Sequence, residues 1–498
     1  MTSKRWTLVG GAVACLIAAI HASALHAAPW LEPGDVRARF AVQKLSDRGH
    51  LNRPVTTWPI NWSALESGTG NLTSSDLPSV GMASAYLRFE REQQAAPGLR
   101  TELSLNAQSE IPAFTGFETN ALAKAGASVN LQWQGSTWAF GLKPTYAKDP
   151  DDNEEVRPDG SYLAATTGNW VFGAGTIDRW WGPGWQSSLI LSNNARPVPS
   201  VWITRNDTAA PETPWLEWLG PWNATLLVGQ YENDRAVPRA KLIGMRFSFR
   251  PVAGLDIGLS RAIMVGGEGR SESASTIADA LIGRDNSQDG ADNDPGNQLG
   301  SVDVRYGFSV GQQSMGVYAE MMGEDEAGAF PARKSWQFGT DWTSQLLDGD
   351  QQWFLEYTNT LADDFLGNAR PNISYEHFQY RSGYRYNGRN MATSFDGDAE
   401  ALTLGAYHFF GDGSNLTAKA SYAELNKDGR SRVIVPTDDI FYTVPARNQN
   451  VAIMQLGYGT QAFSGWLDLS LQATDKEIEY VSGKKDQISA SARWTYRY

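Results

Sequence analysis

Cysteine is nearly absent from this sequence, and so are long apolar runs beyond its first 28 residues. The single cysteine, Cys15, lies inside the apolar run from Trp6 to Ile20. The rest of the chain therefore has no residue with which to form a disulfide. It also has no segment approaching the about 18 to 20 continuous apolar residues that a membrane-spanning helix needs. These absences exclude a disulfide-stabilised fold and a helical membrane protein.

The first 28 residues have the three-part layout of a secretory signal. Lys4 and Arg5 precede the apolar run, and small residues follow it as far as Ala28. We expect residues 1–28 to be removed, with the small residues at 22–24 as an alternative cleavage site. Loss of two basic residues and no acidic one takes the formal net charge from -13 to -15. So acidic a chain is not expected to bind nucleic acid.

Histidine is scarce as well, which argues against catalysis. After residue 28 the chain has only His50, His377 and His408, with no partner at metal-ligand spacing. A G-x-S-x-G nucleophile elbow is absent, although a Ser-His-Asp site assembled from distant segments stays open. Residues 285–294 begin like an EF-hand loop, but Gly296 stands where a bidentate Glu is required, which favours a solvated loop. The sequence predicts no enzyme, no cofactor and no metal site.

Residues 29–98 have helical periodicity, which predicts a small helical cap or plug. One apolar stripe follows the Pro33-Gly34-Asp35 opening and stops at Gly49. A second begins near Ser75 or Asp76, has Pro78 in its first turn and ends at Pro97-Gly98. The two stripes consist of Ala38, Ala41, Val42 and Leu45, and of Met82, Ala85, Tyr86 and Phe89.

Residues 99–498 change to a period of two, which predicts strands with one apolar and one polar face. Examples are Val302, Val304 and Tyr306, which alternate with Asp303 and Arg305. The last strand ends on Trp494, Tyr496 and Tyr498, as an aromatic girdle at a membrane interface would. A soluble antiparallel sandwich also alternates, but rarely for so long. We predict an all-β transmembrane barrel of about 18 antiparallel strands.

Charges of both signs fall on the polar face of these strands. They suggest internal salt bridges in a filled lumen rather than an open pore. The charged residues on this face are Lys143, Arg246, Arg250, Asp303, Arg305, Glu320, Asp341, Glu356, Asp468 and Arg493.

Several motifs resemble those of the Wzi-type capsule-assembly family. They are PWLEPGD at 29–35, PVTTWP at 54–59, DRWWGPGW at 178–185, DNDPGNQ at 292–298 and SFDGD at 394–398. The resemblance implies a barrel of about eighteen strands with a helical bundle at its periplasmic end. It also implies an outer-membrane lectin that attaches or organises capsular or extracellular polysaccharide, with no cofactor and no chemistry of its own. The terminal Tyr498 departs from the Phe that ends most barrels but is still aromatic.

Two segments are candidates for sugar contacts. In the first, indoles offer flat faces to a pyranose while the neighbouring charged pair binds hydroxyls; a packed, glycine-set turn is the alternative. In the second, arginines among tyrosines suit an acidic sugar such as a uronate; a charged lumen strand explains the pattern equally well. The candidates are Asp178, Arg179, Trp180, Trp181 and Trp185, and then Arg381, Arg385 and Arg389.

The function predicted from these features is surface attachment of polysaccharide, with a solute channel as the alternative. The expected setting is the outer membrane, with surface-exposed loops and a periplasmic cap. Expected partners are the polysaccharide, outer-membrane lipid and, during biogenesis, the barrel-assembly machinery, with the protein itself monomeric. A net charge of -15 repels an acidic polymer over about 8 to 10 Å, so added salt or divalent cation is expected to strengthen binding.

Overall fold

Alternation of apolar and polar residues from Arg100 onward produces one closed antiparallel sheet. The computed structural model describes residues 30–69, 78–95, 98–273, 275, 296–324, 333–363 and 368–498. The sheet has 20 strand segments, in which β3 and β4 are each interrupted once, so the barrel has 18 strands. The ring closes where β18 pairs with β1. The prediction of an 18-stranded barrel is confirmed.

The barrel strands and their bounds follow chain order. They are β1 (Arg100–Gln108), β2 (Ala123–Gln134), β3 (Trp138–Leu142 and Thr145–Pro150), β4 (Val156–Arg157 and Tyr162–Thr167), β5 (Trp170–Gly175), β6 (Ser200–Arg205), β7 (Trp222–Gln230), β8 (Lys241–Val252), β9 (Leu255–Val265), β10 (Gly296–Val310), β11 (Gln313–Glu324), β12 (Arg333–Leu346), β13 (Gly349–Asp363), β14 (Glu400–Phe410), β15 (Asn415–Leu425), β16 (Gln449–Ala462), β17 (Gly465–Thr474) and β18 (Ile488–Arg497).

The two ends of the barrel differ in their connections. At the end that carries both termini of the sheet, hairpins are short, and we call it the turn end. Leu347 and Asp348, for example, both have positive φ, as a two-residue hairpin requires. A longer connection between β6 and β7 holds a 3-10 helix, Pro214–Leu219. The opposite end, the loop end, carries long connections at 109–122, 176–199 and 426–448 and the segment 371–399.

A helical unit ahead of β1 occupies the turn end of the lumen. It contains α1 (Val36–Asp47), α2 (Trp62–Thr69) and α3 (Pro78–Ala95). Asp35 caps α1 by accepting a hydrogen bond from the Ala38 amide at 2.8 Å. Every residue of α1 from Ala38 to Asp47 is buried, so the helix lies inside the barrel. In the described part of the chain, no helix combines the length and apolar character needed to cross a lipid bilayer.

The orientation of α3 differs from the one that its apolar stripe predicted. Met82, Ala85 and Phe89 are exposed, whereas Val80, Ala83 and Leu87 are buried against the rest of the helical unit. Tyr86 lies between the two faces and donates a hydrogen bond to Asp35 Oδ2 at 2.8 Å. Both faces of α3 carry apolar residues, so periodicity alone selected the wrong one.

Ion pairs fill the polar side of the barrel wall, as the mixed charges predicted. Arg246 pairs with Asp303, and Arg250 with Asp256 at 2.7 Å. Arg305 on β10 pairs with Asp341 on β12 at 2.8 Å and with Asp47 of α1 at 2.7 Å. The wall and the helical unit are therefore joined through buried charges.

Candidate functional site

The connection between β5 and β6, residues 176–199, turns back into the barrel, and we call it the lumen segment. Its short strand Trp180–Trp181 pairs with Thr57–Trp58 of the helical unit. Glu356 on β13 accepts hydrogen bonds from the Trp185, Gln186 and Ser187 amides at 2.8, 3.3 and 2.7 Å. A Cβ on Gly184 would collide with the main-chain carbonyl oxygen of Ser187, which cannot move aside as a side chain could, and this is why the motif needs glycine there.

The tryptophans of the lumen segment are interior side chains. Trp180 and Trp181 are 1% exposed and Trp185 is fully buried. Arg39 of α1 lies over Trp185 at 4.2 Å and over Phe117 at 4.4 Å, and donates to the Pro183 carbonyl at 2.6 Å. In this conformation the indoles offer no open face to a sugar, and their role in sugar binding stays a prediction.

Asp178 and Arg179 border a small cavity of about 30 Å³ at the foot of the lumen segment. Asp178 is partly exposed to this cavity, and its burial among protein groups raises the pKa of its carboxyl to about 7. Burial likewise lowers the pKa of Arg179 to about 9, and its guanidinium lies 4.9 Å from the Trp202 ring. A space of this size suits a single water rather than a sugar ring.

The three candidate arginines of the second segment are separated by the fold. Arg385 is buried in an ion pair with Asp396, and buried Arg389 donates to the Asn194 carbonyl at 2.8 Å. Arg381 is exposed at the loop end. Alternation along one strand was the alternative explanation of this pattern, but the segment is a folded loop in which the arginines point to different surroundings.

Arg381 belongs to an exposed cluster that the sequence did not reveal. We define the arginine patch as Phe378, Arg381, Arg430 and Arg432, all of which are exposed. The Arg381 carbonyl accepts from the Ile434 amide at 2.9 Å, which aligns the two loops side by side. Within the residues that the structure describes, Arg381, Arg430 and Arg432 form no ion pair.

Carboxylates beneath the patch are engaged by the loops themselves. Glu376 accepts from the Arg432 amide and the Ser431 hydroxyl, both at 3.2 Å. Asp428 accepts from the Arg430 amide at 2.8 Å. Burial raises the pKa of Glu376. The two acids therefore hold the main chain of the 426–448 loop, and Glu376 joins it to the 371–399 segment, while the arginine side chains are exposed to solvent.

Aromatic groups border the same patch. Phe378 is 56% exposed, with the His377 ring 4.6 Å from its own. Arg270 lies 5.3 Å over the Tyr380 ring and donates to Gln379 Oε1 at 2.5 Å. Planar guanidinium groups bind carboxylates through paired hydrogen bonds, and aromatic rings stack on the C–H face of sugars. Arg430 and Arg432 come from a separate polar loop, so no pattern in the sequence joined them to Arg381.

In the described residues, no group of three or more His, Cys, Asp or Glu side chains is arranged to hold a metal ion. Residues 285–294, for which the sequence favours a solvated loop over a calcium site, lie outside the residues that the structure describes, as do residues 1–28.

Residues 101–489 match the family model of the capsule assembly protein Wzi. The chain belongs to the Wzi family. A 55.8 kDa protein in the cps region of Klebsiella pneumoniae is 29% identical over 364 residues, which are 70% of this chain and 68% of that protein. The solved structure of Wzi, an outer membrane carbohydrate-binding β-barrel involved in group 1 capsule assembly in Escherichia coli, matches with a TM-score of 0.78. It is 24% identical, and the match covers 95% of this chain and 99% of that one.

For this Wzi-family chain, the family match confirms the resemblance seen in its motifs. The structural match extends beyond the family model to the helical unit, because it covers nearly the whole of both chains. Membership of the Wzi family does not identify the side chains that contact a ligand. The exposed groups at the loop end are the surface on which such contacts can form.

Proposed function

We propose that this barrel is a non-enzymatic lectin that binds an acidic capsular or extracellular polysaccharide and helps attach or assemble it at the cell surface. The observation that carries the proposal is the arginine patch. It places three exposed arginines, which form no ion pair within the described residues, on two adjacent loops, one of which also carries the exposed Phe378 ring. Membership of a capsule-assembly family and the fold shared with a carbohydrate-binding barrel support the same role.

The proposed setting is the outer membrane, with the loop end outside the cell and the helical unit in the periplasm. Short turns on the periplasmic side and long loops outside are the rule for such barrels. The lipid around the apolar belt and the barrel-assembly machinery are the other partners we propose, for a protein that acts as a monomer.

The arginine patch changes the expected dependence on salt. The net charge alone predicted that salt would strengthen the binding of an acidic glycan. The guanidinium groups of the patch are exposed to solvent, and pairs between exposed charges weaken as ionic strength rises. We therefore expect monovalent salt to weaken binding, because it screens the short-range attraction that fixes the glycan.

The test is binding of a uronate-containing polysaccharide to the purified protein and to the triple variant R381Q/R430Q/R432Q. We expect the triple variant to bind at least tenfold more weakly, as about 1.4 kcal/mol of lost interaction would produce. The control R447Q/K476Q/K484Q removes the same charge from loop-end residues that pair with Asp475, Glu477 and Glu479. Equal binding by all three proteins would contradict the proposal.

A further inference from the structure

The cavity at the foot of the lumen segment borders a buried cation that has no ion pair. Arg179 lines this cavity and is only 6% exposed. Within the described residues its side chain forms neither an ion pair nor a hydrogen bond, although the Trp202 ring lies 4.9 Å away. Arg39 and Arg389 are also buried without an ion pair, but each donates to a main-chain carbonyl. Because an unpaired buried charge is costly, we expect Arg179 to have a partner that the chain itself does not supply.

The carboxylates on one side of this cavity are bound to another arginine. Arg196 also lines the cavity and pairs with Asp152, Glu154 and Asp159 at 2.7, 2.6 and 2.7 Å. These contacts engage all three nitrogen atoms of the Arg196 guanidinium. The fold therefore supplies carboxylates for Arg196 but none for Arg179.

Asp178 is a further carboxyl group that borders the cavity. Burial, and then the charge of Asp159, raise the pKa of this carboxyl to about 7. Below that pH it is protonated, so it carries no charge and offers an O–H donor. The other charged groups that act on it are Lys143, Glu32 and Arg179. An anion beside Arg179 would therefore bind together with a proton on Asp178, and would be repelled by the ionised carboxylate.

The size and lining of the cavity restrict the kind of anion. Its volume is about 30 Å³, roughly twice the 10 to 15 Å³ that one water molecule needs. The Ser200 hydroxyl borders it as a donor without a hydrogen bond inside the described part of the chain, and apolar side chains such as Leu227 and Leu242 complete the lining. A single-atom anion slightly larger than water fits this space, whereas sulfate, phosphate or the carboxylate of a sugar ring does not.

We propose that this cavity binds one halide ion, chloride in the natural setting, with Arg179 and Ser200 as its donors. The ion supplies the counter-charge that Arg179 lacks, and it fixes the foot of the lumen segment just before the strand Trp180–Trp181. The site lies inside the barrel wall, apart from the arginine patch, so it does not depend on the binding of polysaccharide.

The test combines crystallography with thermal unfolding of the purified full-length protein in detergent. Crystals grown in sodium bromide should show an anomalous bromide peak in the cavity, within hydrogen-bond distance of Arg179. In solution, the unfolding temperature should rise to a plateau as chloride replaces gluconate at constant ionic strength. R179Q should bind halide about tenfold more weakly, because a hydrogen bond from a charged group is lost. R179K should be intermediate, which keeps the contact testable if R179Q folds poorly.

The control R239Q removes an exposed arginine that pairs with Glu268 and should keep the chloride dependence of the original chain. Lowering the pH from about 8 to 6 should strengthen halide binding in the original chain but not in D178N, whose amide is uncharged throughout. Absence of a bromide peak would overturn the site. A peak without any chloride effect in solution would mean binding at crystal concentration only and would overturn it as well. Equal chloride dependence in R179Q would overturn the role of Arg179, and an affinity independent of pH would overturn the link to Asp178.

Discussion

Single buried charges in this barrel differ in whether they have a partner. Asp178 forms no ion pair within the described residues, and burial raises the pKa of its carboxyl to about 7. Arg385, in contrast, is paired with Asp396. The sequence shows only that such residues are charged. Whether a charge is paired depends on how its loop folds: Arg385 meets Asp396, 11 residues further along the same loop, whereas Arg381 points to solvent. Arg381 and Arg385 could therefore not be distinguished beforehand.

Replacement of Asp178 by Asn is expected to change how stability depends on pH. The folded-state pKa lies above the usual value for Asp, so the folded protein takes up a proton between about pH 4 and 7, and stability falls as pH rises through that range. A tenfold difference in proton affinity between the folded and unfolded states corresponds to about 1.4 kcal/mol. Chemical unfolding should show D178N to be more stable than the original chain at pH 8, with the difference vanishing near pH 4. A constant difference across this range would contradict the assignment.

At the scale of elements, α1 and the lumen segment together fill the barrel, and each is fixed by a carboxylate. Asp47 attaches α1 to Arg305 on β10. The alternating strands and the start of α1 were predictable, because periodicity and a capping residue are local signals. The inward path of residues 176–199 was not, because it depends on distant Glu356 and on the space left inside the sheet.

Loss of the Asp47 carboxylate should loosen α1 from the wall. D47A removes the two hydrogen bonds that Arg305 donates to Asp47 but leaves its ion pair with Asp341. Loss of a hydrogen bond between charged groups costs about 1.5 to 3 kcal/mol. The heat-dependent mobility shift of the barrel on gels should move to lower temperature. E92A removes an exposed carboxylate from α3 and should leave the transition where it is. Similar transitions for D47A and the original protein would show that the pair is not stabilising.

Glu356 gives a second test at this scale. E356Q replaces one acceptor oxygen by a donor, so at least one of its three amide contacts is lost. A hydrogen bond to a charged group is worth about 1.5 kcal/mol or more, which corresponds to roughly tenfold faster hydrogen exchange. The amides of residues 185–187 should show this change. L355V, on the lipid-facing side of the same strand, should not affect them, and unchanged exchange in E356Q would refute the link.

The whole molecule is a barrel whose wall, helical unit and lumen segment share one buried network of charges and aromatic rings. Such a lumen should conduct poorly. In planar bilayers we expect no steady open-pore current from the purified protein, because Arg39, Trp185 and Arg305 fill the cross-section with buried side chains. A stable, ohmic conductance in the range of large porins would instead favour the solute channel that the sequence left open.

The seam between β1 and β18 also sets an order of events in biogenesis. The ring seals only when the last strand of the sheet, β18, meets the first, β1. Helix α1 precedes both in the chain, yet it is held inside by Asp350 and Arg305 of the wall. The helix must therefore enter through the turn end or already be in place when the seam forms. Closure of the sheet and entry of the helix into its interior must therefore be completed together. A delay in either would leave the unpaired edges of β1 and β18 exposed to other chains.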